Sequence, residues 1–246
     1  MSDEIKFSGI ERLYGKDALL HFQSQRFTVI GLGGVGSWAA EALVRSGIKK
    51  LTLVDYDEIC ISNFNRQVHA LDKHIGASKI KTLQERFTNI HANIEVNLIE
   101  DFYSQDNSDS ILQQSDIIID AIDSLSAKCL LINECRKYEK KLVVSGGAGG
   151  KKDPCKLNVG DLSKTINDPL LQKLRKKLRR DYNFPRGDKK FHIPCVYSEE
   201  LPQLPNACER PQGQLDCETG FGTASFLTGS MGFFLAQQAL EISLRS

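Results

Sequence analysis

The 246-residue sequence has almost no net charge, no Cys-x-x-Cys pair, no internal repeat and no low-complexity linker. With 32 basic against 31 acidic residues, a formal charge of +1, the molecule as a whole is no electrostatic glue for nucleic acid. Any polyanion site must then be a local patch. The seven cysteines (Cys60, Cys129, Cys135, Cys155, Cys195, Cys208 and Cys217) lack the paired spacing of a structural zinc site. They form an odd set, and the start, Met1-Ser2-Asp3-Glu4, has neither the basic end nor the apolar core of a secretory leader. Both features point to a reducing compartment, the cytoplasm. One uncharged stretch, residues 219–240, is long enough for a bilayer, but it holds four glycines and several Ser, Thr and Gln residues. A buried or subunit-interface helix starting after the Gly-rich entry is the better reading, with membrane association as the other.

What is present reads as one α/β domain. An apolar run at 27–30 enters Gly31-Leu32-Gly33-Gly34-Val35-Gly36, and a helical pattern (Trp38, Ala39, Ala42, Leu43) follows and stops at Gly47. A second run at 51–54 ends at Asp55. Further strands are predicted at 96–99, 117–119 and 142–144, with helices over 77–90 and 126–138. Such alternation specifies a Rossmann-like, doubly wound and mostly parallel sheet, with a nucleotide-binding core at about 9–150. Beyond Gly150 the pattern loosens into an irregular C-terminal part. Asp168-Pro169 suits an N-cap and first turn, opening a helix with Leu171, Leu174 and Leu178 on one face. Residues 184–216 hold five prolines without periodicity and read as a long loop on the substrate side. The basic helix and loop cover about 161–216, and the C-terminal helix about 219–243.

Gly31-x-Gly33-x-x-Gly36 stands where a phosphate-binding turn must be, between a strand and a helix whose N–H groups and dipole favour an anion. Asp55, 19 residues after Gly36, can accept hydrogen bonds from ribose hydroxyls. That much does not separate ATP from NAD. The separation comes from Asp57, Asn63, Arg66, Gln67 and Lys79. A dehydrogenase has no use for this set, whereas a nucleotidyl transferase must neutralise charge as pyrophosphate leaves. An Arg and a Lys suit that task, with a carboxylate such as Asp123 to hold magnesium. A non-catalytic nucleotide-binding scaffold would not need Arg66, Lys79 and Asp123 together.

These motifs, with Ser62-Asn63-x-Asn65-Arg66-Gln67, Gly76-x-x-Lys79 and Asp120-x-x-Asp123, resemble the ThiF/MoeB and ubiquitin-activating superfamily of adenylating enzymes. The resemblance implies an ATP- and magnesium-dependent homodimer. In it Gly31, Gly33, Gly34 and Gly36 cradle the nucleotide, Asp55 binds the ribose, and Asn63, Arg66 and Lys79 bind the phosphates. Asp123 binds the magnesium, and Arg12 reaches the partner subunit's ATP. The paired zinc cysteines usual in sulfur-carrier activators are missing. Arg12-Leu13-Tyr14-Gly15, Asn65-Arg66-Gln67-Val68-His69-Ala70-Leu71, Gly146-Gly147-Ala148-Gly149-Gly150, Asp168-Pro169-Leu170 and Asp216-Cys217 are instead similar to the tRNA threonylcarbamoyladenosine dehydratases. That resemblance covers nearly the whole chain and is weakest over 184–212. It implies ATP-dependent cyclisation of a tRNA nucleoside through an adenylated carboxylate. The alternative is activation of a ubiquitin-like or sulfur-carrier C-terminus. It also allows a monovalent cation, Na or K, for which the 146–150 glycines could offer carbonyls. Cysteine desulfurase and sulfur-acceptor proteins stay open as partners.

The basic stretch 171–190 carries nine Lys and Arg against two Asp, a net +7 that leaves the rest of the chain at −6. A solvated helix face or a membrane surface would fit. With the resemblance, Lys173, Lys176, Lys177, Arg179 and Arg180 are expected to meet the tRNA backbone. Cys217 is a candidate nucleophile only if a covalent link is formed, which ring closure does not require. His69 is expected to be a packed or hydrogen-bonded histidine rather than a general base.

Overall fold

The structure, a computed structural model, describes residues 3–203 and 221–245. Three short helices, α1 (Asp3–Lys6), α2 (Ser8–Tyr14) and α3 (Lys16–Ser24), precede β1 (Arg26–Ile30), α4 (Gly36–Arg45) and β2 (Lys50–Val54). There follow α5 (Lys79–Ile90), β3 (Glu95–Ile99), α6 (Gln105–Gln113), β4 (Ile117–Asp120), α7 (Leu125–Lys137) and β5 (Lys141–Ser145). The rest comprises β6 (Leu157–Asp161), α8 (Pro169–Asp181), β7 (Pro194–Ser198) and α9 (Ser225–Ser243).

The strands lie in the order β3-β2-β1-β4-β5-β7-β6, parallel throughout except for β6, which runs antiparallel to β7. The expected doubly wound sheet is present. Its central strands are buried along nearly their whole length because helices cover both faces: all four residues of β4 are buried. Chain order reverses between β1 and β4, which makes their carboxyl ends the switch point where ligands bind in such sheets.

Two departures from the sequence expectation lie after β5. Residues 194–198, expected to be loop, form β7, inserted between β5 and the edge strand β6. Proline sits only at the first position of β7, where a missing N–H is tolerated, and the remaining four residues are buried. Five residues flanked by loop are too few to show a period. The edge strand β6, likewise unforeseen, adds the final hairpin partner.

α9 packs lengthwise on α4. A Cβ on Gly232 would lie 2.7 Å from the Val35 carbonyl oxygen and 2.8 Å from the Ala39 nitrogen, so the two backbones meet at that glycine. Leu227, Met231, Leu235, Ala239 and Leu240 are buried in the core, while Phe226, Phe233 and Phe234 face outward. α9 begins at Ser225, later than the start expected near 219, and buries one face against the core. Among the described residues, no helix is long and apolar enough to cross a membrane.

Candidate active site

Three loops meet at the switch point. The glycine turn leaves β1 with Gly31 at φ +87°, and its amide donates to the Val54 carbonyl at 2.9 Å. A Cβ on Gly31 would stand 2.7 Å from the Ala121 carbonyl oxygen, and one on Gly36 would collide with the Gly31 carbonyl at 1.8 Å. Only glycine closes this turn against the loop leaving β4. Gly33 differs: an added Cβ would meet nothing nearer than Gln67 Nε2 at 4.0 Å. Gly34 lies under the Arg66 stem, with Cγ 3.1 Å from the added Cβ.

Asp55 ends the β2 run and clamps the turn. Its carboxylate accepts from the Leu32 amide at 2.5 Å and the Asp57 amide at 2.9 Å. Burial raises its pKa, against the Lys79 charge and these two amides, which lower it. Both bonds use single lone pairs, so oxygens remain to accept from ribose hydroxyls.

Lys79 opens α5, two residues after the start expected at 77, and it is not a surface charge. Its side chain is 6% exposed, and its ammonium pairs with Asp57 at 2.7 Å, on the loop just past β2. The α5 start is tied to that loop by the Lys79 amide on the Asp57 carbonyl and by the Glu58–Ser78 bridge. Farther along α5, Arg86 forks onto buried Glu41 of α4 at 2.7 and 3.0 Å, with Arg45 at 2.8 Å. Burial pushes the Glu41 pKa up, but the Arg86 and Arg45 hydrogen bonds win and leave it lowered. The helix bearing the glycine turn and the helix bearing Lys79 are thereby held in register.

Arg66 is half-buried. Its guanidinium donates to the Ser62 carbonyl at 2.5 Å and to Asn65 Oδ1 at 3.2 Å. Its backbone carbonyl receives Trp38 Nε1 at 3.0 Å, fixing the 63–67 turn to the first turn of α4. Asn63 is buried, and its side-chain oxygen holds the Cys60 amide at 3.1 Å. Gln67 is buried with Oε1 lacking a partner among the described residues. His69 is 1% exposed, and neither ring nitrogen has a partner among the described residues. Burial, then the charges of Lys79, His74 and Arg86, lower its pKa to about 3. Of the two expected readings, packed or hydrogen-bonded, it is the packed one.

Asp123 is exposed on the loop after β4, two residues beyond the Ala121 carbonyl that abuts Gly31. Arg66, on the turn after β2, Lys79, at the start of α5, and Asp123, after β4, lie at the carboxyl edge of the sheet. Arg12 is exposed on α2, and no bond ties it to residues 31–36 among the described residues. Cys217 lies outside the described residues.

The sequence reading missed Lys128. It is fully buried on α7, donating to Asp120 Oδ1 at 2.8 Å and to the Ile122 carbonyl at 3.0 Å. Burial raises the Asp120 pKa and Lys128 opposes it. The pair braces the loop that carries Asp123. A lysine beside Cys129, Leu130 and Leu131 gives no such signal in sequence.

Of the basic residues, Arg179 holds the following loop, donating to the Pro185 carbonyl at 3.1 Å with its guanidinium 5.2 Å from the Phe191 ring. Arg180 pairs with Asp181 at 2.6 Å. No hydrogen bond or ion pair engages Lys173, Lys176 or Lys177 among the described residues.

A glycine turn at the switch point, an aspartate clamping it and a buried lysine beside it make a candidate nucleotide site on an α/β sheet. A family model, the ThiF family, matches residues 8–245. The tRNA threonylcarbamoyladenosine dehydratase of Haemophilus influenzae is 42% identical over 98% of this chain and 94% of its own. That of Bacillus subtilis is 37% identical over 80% and 76%. The crystal structure of the Escherichia coli dehydratase, TcdA, in complex with ATP superposes with a TM-score of 0.89, at 40% identity, covering 98% of this chain and 94% of that one. The chain belongs to the ThiF family and, within it, to the tRNA threonylcarbamoyladenosine dehydratases.

Proposed function

We propose that this chain adenylates the threonyl carboxylate of N6-threonylcarbamoyladenosine in tRNA, using ATP, and that the activated group cyclises with net loss of water. AMP and pyrophosphate are the by-products. The observation that carries the reading is Lys79, buried at the edge the glycine turn occupies and held there by Asp57. A carboxylate has no leaving group but oxide; adenylation substitutes AMP. The neighbouring carbamoyl group then attacks the activated carbonyl within the same molecule, loses a proton and expels AMP. Well-placed intramolecular attack is worth effective molarities of roughly 10⁵–10⁸ M, so no enzyme nucleophile is needed.

In this reading the open space at Gly33 is for phosphate approach, and Asp55 receives the ribose. Arg66, Lys79 and the Asn63 amide counter the phosphate charge, and Gln67 lines the same edge. Lys79 leaves Asp57 for the phosphates once they arrive. An exposed carboxylate beside phosphates fits magnesium, which keeps waters and takes one or two carboxylates; Asp123 is that group. The molecule acts as a homodimer, with Arg12 supplied to the partner's ATP. The outward Phe226, Phe233 and Phe234 of α9 offer apolar area for such a contact. Lys173, Lys176, Lys177 and Arg180 meet the tRNA backbone, while Arg179 shapes the loop behind them.

The decisive assay supplies ATP, magnesium and tRNA bearing the modified nucleoside, then weighs that nucleoside. An ATP-dependent loss of one water is expected. AMP formation driven only by a carrier-protein C-terminus would overturn the reading.

A further inference from the structure

The glycines after β5 carry a buried cation of the chain's own. Gly146 leaves the strand with its amide on the Val196 carbonyl at 2.8 Å. At the far end of the loop, Lys151 turns inward with its side chain 1% exposed. Its ammonium donates to the Gly147 carbonyl at 2.9 Å and to Asp168 Oδ2 at 3.0 Å. Asp168 is equally buried. Its Oδ2 also accepts the Gly147 amide at 2.8 Å, and its Oδ1 accepts the Leu171 amide at 3.0 Å as the N-cap of α8. A Cβ on Gly146 would stand 2.6 Å from that carboxylate, so a glycine is what lets Asp168 approach.

One ammonium therefore joins a carbonyl of the β5 loop to the N-cap of the basic helix. β5 neighbours β4 in the sheet, so this loop is the next wall along the edge from Asp123. A buried ion pair is a poor stabiliser, because desolvation offsets its Coulomb energy. Its use here is geometric.

A lysine ammonium has the charge of potassium and nearly its ionic size. A bound Na or K does not fit beside Gly147 and Asp168, because that carbonyl and that carboxylate already hold a cation. We propose that Lys151 is a built-in monovalent cation, a positioning residue that sets the β5 loop against α8 so that turnover needs no bound Na or K. The turnover arm rests on the dehydratase reading.

The test measures wild type and Lys151→Ala at constant ionic strength in tetramethylammonium, sodium, potassium, ammonium or ethylammonium chloride. Three quantities are read: thermal midpoint, ATP binding and tRNA-dependent AMP formation. Wild type is expected to vary by less than about twofold across the series, since nothing binds to be linked. The variant is expected to keep its ATP affinity while losing about tenfold or more in tRNA turnover, the cost of a misplaced wall. Ammonium, ethylammonium or potassium restores turnover and raises the midpoint of the variant; tetramethylammonium, too large, does neither. Wild-type turnover that requires Na or K overturns the proposal. So does a variant with unchanged turnover, or one that loses turnover and gains nothing from any small cation. If the variant folds in none of these salts, the cation response of wild type decides. If wild type binds ATP but shows no tRNA-dependent AMP, the dehydratase reading fails, and the midpoint series still tests Lys151.

Discussion

Two buried nitrogen-bearing side chains near the glycine turn, Lys79 and His69, differ in what surrounds them. Lys79 has a half-exposed partner, 54% against its own 6%, so Asp57 can rehydrate if the ammonium is removed. Lys79→Met is expected to lower adenylation by about 10²-fold or more, in the range set by losing one electrostatic donor in a site. Its thermal midpoint should barely move; ATP-dependent AMP release beside a melting curve checks both. His69 holds no such role. Its folded pKa of about 3 lies below the ordinary 6.5, so the unfolded chain binds the proton first. Stability from this residue is complete above about pH 6.5 and drains as pH falls toward 3, by at most about 1.4 kcal/mol per unit. His69→Leu is expected to flatten the acid limb of the stability curve, followed by urea melts between pH 7 and 4.5. A variant as acid-sensitive as wild type would contradict the buried neutral ring.

Among elements, α8 and α9 owe their positions to opposite chemistry. The inner face of α8 is apolar at Leu171, Leu174 and Leu178, and its outer lysines are unengaged among the described residues. Reversing Lys173, Lys176 and Lys177 to Glu is expected to raise the tRNA KM about tenfold at moderate salt and flatten its salt dependence, with ATP affinity unchanged. Arg179→Ala should instead cost about 1–2 kcal/mol of stability, because it releases the Pro185 carbonyl and the Phe191 ring. α9 depends on a backbone-to-backbone approach. Gly232→Ala drives a methyl into the Val35 carbonyl and the Ala39 nitrogen, and an overpacking cost of about 1–3 kcal/mol is expected. The same substitution at Gly229 meets only Trp38 ring atoms at 3.7–3.8 Å, an ordinary contact, and serves as the control in thermal melts. Since α4 begins at the glycine turn, Gly232→Ala should weaken ATP binding as well.

For the whole molecule, the question is whether one protomer completes its partner's site. Arg12 is exposed on α2, and nothing among the described residues ties it to the glycine turn of its own chain. If it acts across a two-fold interface, Arg12→Ala and Lys79→Met are each inactive alone. Mixing them after dissociation then builds heterodimers with one intact site, and about a quarter of wild-type turnover returns for a symmetric pair. No recovery on mixing would place Arg12 in its own subunit or outside the reaction.

The sequence alone determined the central sheet, the glycine turn, Asp55 and the helix opened by Lys79, because these rest on local periodicity and backbone freedom. Asp168 was legible as an N-cap for the same reason. Tertiary structure decided the rest. β6 and β7 are strands only because a sheet edge waits for them; five residues hold no period of their own. The Lys128–Asp120 and Lys151–Asp168 pairs join residues 8 and 17 positions apart, and nothing in the order of residues says which lysine will be denied water. Burial is a property of the packed chain, and it turns these lysines from surface charges into the braces of a site.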